Sequence, residues 1–308
     1  MRGRNDPVPP AAKGPVTRTN QTASRRGFIL LLGSQSFSQG ADGLAQAAMA
    51  SVLVLDAFSQ GTPEKILTLL IVTLVPYSLI GPFAGVFVDR WRRGAVLLWT
   101  NVARALMLVT FPLWRGALQG DAGLYLAVLL LLGLGRLFLT TKSAVLPVLI
   151  PGDRLLRGNA LSGGVGMVSA LLGGALGVVA VGAIGLRTSF VVTGVLYAAS
   201  GTLARLITMP LGAPRQLDHR LGDALRGVVR DMAAGGAAVW GDLAARLPLI
   251  ALFVARVVAM FVAIAAILVI KNQFPGVGDR VGRLSAGAVS LGAAGIGAFA
   301  GTLTTGLV

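Results

Sequence analysis

Apolar residues come in long runs along this chain, and the short polar segments between them are rich in arginine. At ~20 residues per bilayer crossing, the runs predict eight transmembrane helices. They lie at about Phe28 to Leu55, Ile66 to Val88, Ala95 to Trp114, Leu124 to Thr141, Ala160 to Leu186, Ser189 to Leu211, Leu249 to Ile270 and Ser285 to Val308. Helices are expected because a spanning segment must satisfy its backbone groups internally. Residues 1–26 have no apolar period and end in Arg25 and Arg26, which reads as a disordered cytoplasmic tail. The first run exceeds the ~7 to 15 apolar residues of a signal peptide, so it is expected to stay as a span.

One polar connection is long, from Gly212 to Pro248. Within it Leu221, Leu225, Val228 and Met232 recur at helical spacing, while Arg220, Asp223, Arg226 and Arg230 occupy other positions. That pattern predicts an amphipathic helix along the cytoplasmic face, tethering two groups of spans. The domain organisation is therefore a tail at 1–26, a six-helix bundle at 27–211, a linker at 212–248 and a partial second bundle at 249–308.

Composition supports the same solvent assignment. The 308 residues are 55% hydrophobic and 13% charged, with a mean hydropathy of +0.78, more apolar surface than a soluble core buries. The net charge of +15 would suggest nucleic acid in a soluble protein. Here the basic residues bracket apolar runs, which fits topology and contact with anionic lipid, so no nucleic-acid partner is expected. Arg90, Arg92, Arg93, Lys142, Arg154, Arg157, Arg215, Arg220, Arg226 and Arg230 all fall on one side if the N-terminus is cytoplasmic. Lys271, Arg280 and Arg283 fit that rule poorly and leave the last two spans less well placed.

The chemistry on offer is sparse. There is no cysteine and a single histidine, His219, and no span carries a histidine, a paired carboxylate or an HExxH motif. An intramembrane hydrolase or metalloprotease therefore lacks its groups, and neither enzymatic activity nor a metal or other cofactor is expected. Polar residues do occur inside the spans. Gln35, Ser38, Gln39 and Asp42 fall at i, i+3, i+4 and i+7 and so share one helical face. A carboxylate at that depth costs about 2.5 to 3.5 kcal/mol unless it meets water, a cation or a proton. Asp42 is thus a candidate either for a cavity-lining or proton-linked role or for a structural cap or ion pair near the outer surface. Arg104 lies within the third span and calls for an internal partner such as a carboxylate. Arg136, near the end of the fourth, either lines the interior or snorkels to the cytoplasmic interface. Arg256 in the seventh raises the same question without an evident partner. Glycines cluster at Gly163, Gly164, Gly166, Gly173, Gly174 and Gly177, and again at Gly292, Gly295, Gly297 and Gly301, a spacing that lets helix backbones approach closely.

The turn between the second and third spans reads Gly85-Val-Phe-Val-Asp89-Arg90-Trp91-Arg92-Arg93-Gly94. Gly85, Asp89, Arg90 and Arg93 resemble the GxxxDRxGRR loop signature of the major facilitator superfamily, with Arg92 where that family commonly has glycine and Gly94 where a basic residue is usual. The stretch from Pro82 to Leu106, and Leu146-Pro147 leading through Asp153, Arg154 and Asn159-Ala160-Leu161, look like its macrolide-efflux and siderophore-exporter branch. The Ala, Gly, Arg and Leu bias is similar to that of a high-GC bacterium. The resemblance implies an all-α polytopic membrane bundle working by alternating access in a bacterial plasma membrane. It would comprise a six-helix N-terminal bundle plus the first two helices of a second. The implied activity is secondary transport, a proton-coupled export of an amphiphilic small molecule, with lipid, substrate and protons as partners. Gly85, Asp89, Arg90 and Arg93 would form a conformational latch. Gln35, Gln39, Asp42, Arg104 and Arg136 are the candidates for the cavity or for proton coupling. Twelve spans would be usual in that family and eight are read here. The expectation is a fragment of a longer protein, or a short one inactive without a partner chain or the missing spans.

Overall fold

A computed structural model describes residues 18–59, 90–115, 122–211 and 221–273, together with 83, 85 and 88. Among the described residues the chain is helical, with no strand, as expected for a polytopic helical membrane protein. The helices are α1 (Arg18–Ser59), α2 (Arg93–Arg115), α3 (Ala122–Leu149), α4 (Leu155–Arg205), α5 (Leu221–Gly241) and α6 (Leu243–Gln273), with a 3-10 turn at Gly152–Arg154 before α4. The second span and the eighth lie outside the described residues but for Phe83, Gly85 and Val88.

Helix boundaries shift from expectation at several places, and three of the shifts have a visible cause or consequence. α1 starts at Arg18, inside the stretch read as a disordered tail. The last proline before it is Pro15, and residues 18–26 contain neither proline nor glycine, so nothing in the backbone stops the helix. The Ser24 hydroxyl donates to the Leu149 carbonyl and ties this turn to the end of α3. Second, α3 continues to Leu149, past the expected loop start at Lys142. Third, α6 begins at Leu243, within the expected linker. The Asp242 carboxylate accepts the Ala244 N–H at 2.9 Å and caps it, while Pro248 is accommodated inside the helix. α5 and α6 meet at a bend of 102°.

The expected fifth and sixth spans are the two halves of α4, separated by Gly185 at φ 79° and ψ 164°, a conformation open to glycine almost alone. Contacts with α1 establish that the chain reverses there. In the first half, Ser162 meets Gln35, Gly173 meets Gly40 and Gly177 meets Leu44, both numbers rising together. In the second half, Tyr197 meets Asp42, Ser200 meets Ser34 and Leu203 lies against Gly33, one number rising as the other falls. α3 is also antiparallel to α1, since Leu149 lies against Gly27 and Gly135 near Asp42. α2 runs antiparallel to the second half of α4, with Gly201 against Leu98 and Gly194 against Ala105.

The apolar core forms two clusters stacked along the bundle. One gathers Ala41, Ala45, Leu108, Phe111, Leu131, Phe190 and Tyr197, with Phe111 edge-on to Phe190 at 5.2 Å. The other gathers Leu31, Leu97, Phe138, Val145, Leu146, Leu149, Ala204 and Ile207. Buried Ser34, Gln35, Ser38, Thr100, Asn101, Arg104 and Ser200 lie between them in sequence on their helices. By length and composition α2, α3 and α4 are each able to cross a membrane. The polar face of α1 points into the bundle instead of toward lipid.

α1 and the first half of α4 touch through backbone. A Cβ on Gly43 would lie 2.1 Å from the Ala170 carbonyl oxygen, and one on Gly173 2.0 Å from that of Gly40. The sequence singled out Gly173 and Gly174 as close-approach positions, and Gly173 lies against Gly40 and Gly174 against Gly43.

Candidate functional site

Arg104 is the largest wholly buried side chain among the described residues. One turn before it on α2, Thr100 and Asn101 share its face, and the guanidinium uses both. Nε donates to the Thr100 carbonyl at 3.3 Å and Nη2 to Asn101 Oδ1 at 2.7 Å. Across the bundle, Nη2 also donates to Ser38 Oγ at 2.8 Å and Nη1 to Asp42 Oδ1 at 2.7 Å. The guanidinium carbon lies 4.4 Å from the Tyr197 ring centre and 5.4 Å from that of Phe138, within the range of cation–π attraction. Tyr197 then donates its hydroxyl to Asp42 Oδ1 at 2.6 Å. Gly135 on α3 leaves room for the pair, 3.6 Å from Arg104 Nη1 when measured from an added Cβ.

Residues from α1, α2, α3 and both the chemistry and the packing of α4 thus converge on one ion pair. The exposure of its partners is unequal: the Arg104 side chain is 0% exposed and that of Asp42 21%. The cation is sealed, while the carboxylate keeps an opening. The internal carboxylate that Arg104 called for is Asp42, and the question of Asp42's partner is answered at the same time.

Gln35 and Gln39 belong to a neighbouring network, one to two turns closer to the start of α1. Gln35 Nε2 donates to the Ser162 carbonyl at 2.6 Å and to Gln39 Oε1 at 3.0 Å, and Ser162 Oγ donates to Gln35 Oε1 at 2.7 Å. Lys142 Nζ completes it, donating to Ser162 Oγ at 3.1 Å. Gly166 is packed under both glutamines, where a Cβ would fall 1.8 Å from Gln39 Oε1. Arg136 is half-buried on α3, next to Gly135. Arg256 lies in α6, with its side chain outside the described set.

Of the charged turn, Asp89 lies outside the described residues, Gly85 and Arg90 are half-buried, and Arg93 opens α2. Arg93 Nη1 donates to the Ala144 carbonyl at 2.9 Å and to that of Leu211 at 3.5 Å. It therefore ties the start of α2 to the last turns of α3 and to the chain leaving α4. Arg25, Arg26, Arg92, Arg93, Arg154 and Arg157 all sit at this end of the bundle, since Ser24, Ala144, Leu149 and Leu211 meet there.

Sequence reasoning missed Tyr197, Phe138, Asn101 and Ser162. Asn101 could have been found, because it precedes Arg104 by three residues on one helical face. Tyr197 carries no local signal, being an aromatic residue in an apolar span.

The sequence pattern of the Major Facilitator Superfamily matches residues 31–308. Over 162 residues the chain is 34% identical to an uncharacterised MFS-type transporter of Mycobacterium tuberculosis, and equally to one of Mycobacterium bovis. These matches cover 53% of this chain and 37% of each relative. An uncharacterised MFS-type transporter of Bacillus subtilis is 26% identical over 172 residues, covering 54% of this chain and 39% of the relative. The chain spans under half the length of the curated relatives it matches.

Proposed function

Because the chain belongs to the major facilitator superfamily, a family of membrane transporters and not of enzymes, we propose that it exports an amphiphilic small molecule by alternating access, coupled to proton entry. The observation that carries the coupling is the unequal burial of the Asp42–Arg104 pair. A proton reaching the open carboxylate would weaken its bonds to the Arg104 guanidinium and to Tyr197. Those bonds join α1, α2 and α4, so their loss changes how three helices hold together. The clustering of arginines at the Arg93 end supports a cytoplasmic N-terminus in a bacterial plasma membrane. The Arg93 bonds to the ends of α3 and α4 support a latch role for the turn containing Gly85, Asp89, Arg90 and Arg93.

The test is efflux of fluorescent amphiphiles from proteoliposomes with and without a pH gradient. Asp42→Asn, reconstituted at equal folded amounts, is expected to retain exchange at symmetrical pH and to lose the acceleration by the gradient. Gradient-driven efflux equal to that of the parent would remove Asp42 from the coupling. The competing reading is a chain inactive without further spans or a partner chain, and it predicts no exchange from the parent itself.

A further inference from the structure

Lys142 is a cation built into a membrane helix, and among the described residues no carboxylate is paired with it. It is half-buried, seven residues before the end of α3, which is roughly 10 Å along the axis. Its hydrogen-bond partner is a neutral hydroxyl, Ser162 Oγ at 3.1 Å. Among the described residues no acidic side chain forms an ion pair with it: Asp42 is held by Arg104, and Asp153 lies by Arg154. An ammonium at such depth is costly unless something balances it.

The surrounding amides fix what that something is. Gln35 is 1% exposed and its orientation is set by donating to the Ser162 carbonyl while accepting from the Ser162 hydroxyl. Gln39 must then turn its oxygen toward Gln35 Nε2, which leaves its own NH2 hydrogens outside that bond. The capacity left over is mostly donors, two hydrogens on the Lys142 ammonium and two on Gln39. Donors of this kind, next to a full positive charge, fit an anionic oxygen-bearing group. Directly after Ser162, Gly163 and Gly164 are exposed, and a Cβ on either would meet nothing within 4 Å.

We propose that Lys142 and Gln39, seated on Ser162 and Gln35, bind the anionic head, carboxylate or phosphate, of the amphiphile this chain carries. The inference rests on the transport reading for the word "carries", while the binding itself can be measured without flux. The experiment uses the full chain in nanodiscs and compares dodecyl phosphate with uncharged dodecanol by displacement of a fluorescent fatty acid. The parent should bind dodecyl phosphate at least tenfold more tightly than dodecanol. Lys142→Gln should abolish that preference, Lys142→Arg should keep it, and both variants should elute as the parent does. Equal affinity for the two ligands in the parent, or an undiminished preference in a folded Lys142→Gln variant, overturns the proposal. Nanodiscs of phosphatidylcholine alone and with phosphatidylglycerol separate the sources of the anion. Competition by phosphatidylglycerol assigns the site to lipid headgroups, and its absence assigns it to free solutes. Loss of charge preference with intact efflux would remove this inference alone, and charge-selective binding without efflux would remove only the transport reading.

Discussion

At the scale of single residues, the decisive unit is a charge pair that neither member can leave safely. Removing one partner of a buried ion pair leaves the other uncompensated and costs about 3–5 kcal/mol, whereas replacing both with apolar residues is often neutral. Asp42→Leu and Arg104→Leu should therefore each lower thermal stability strongly, and the double variant should recover most of the loss. Unfolding of the four proteins of this cycle, followed by tryptophan fluorescence in detergent, measures the coupling. Additive losses would show that the two groups do not depend on each other. Much of this site was legible in advance. The cost of an embedded charge marked Asp42 and Arg104, and helical spacing put Gln35, Ser38, Gln39 and Asp42 on one face. The pairing itself was not legible, because it joins residues 62 apart and nothing local to either reports the other. The same holds for Tyr197, whose hydroxyl finds Asp42 across a separation of 155 residues.

Between elements, glycine decides where helices touch and where they turn. Gly43→Ala and Gly173→Ala place a methyl against backbone atoms that cannot move aside, and overpacking of this kind costs roughly 1–3 kcal/mol. Gly163→Ala and Gly164→Ala meet open space and should be neutral or slightly stabilising, since alanine favours helix by roughly 1 kcal/mol over glycine. Melting temperatures of the four variants check the contrast, and a loss of equal size at Gly163 would refute it. Gly185→Ala forces a side chain into a positive-φ conformation and should cost about 1–3 kcal/mol. The composition of this stretch predicted close packing but could not say which glycines face a neighbour. Length was informative where periodicity was not: two spans could be read between Ala160 and Leu211 because a single helix there would exceed any bilayer. Helix ends were harder. α1 and α3 run past the expected boundaries because polar residues such as Lys142 and Ser24 find partners within the bundle, and hydropathy counts such residues as loop.

For the whole molecule, orientation follows from which helix ends lie together. Arg92 and Arg187 sit at opposite ends, Arg92 beside the start of α2 and Arg187 just after the reversal at Gly185. The chain has no cysteine, so a single introduced thiol is read without background. With the arginine-rich end cytoplasmic, Arg187→Cys should react with an impermeant maleimide added to intact cells and Arg92→Cys only after lysis. The reverse pattern would invert the topology.

The Asp42–Arg104–Tyr197 cluster also sets an order of events during synthesis. Asp42 leaves the ribosome first, Arg104 follows 62 residues later, and Tyr197 some 93 residues after that. At about 5–20 residues per second, Arg104 enters the membrane with its carboxylate already present. It then waits roughly 5 to 20 s for the ring that covers it. The buried Arg104 guanidinium thus follows its counter-charge into the membrane, and the segment carrying Tyr197 arrives at a prepared docking site.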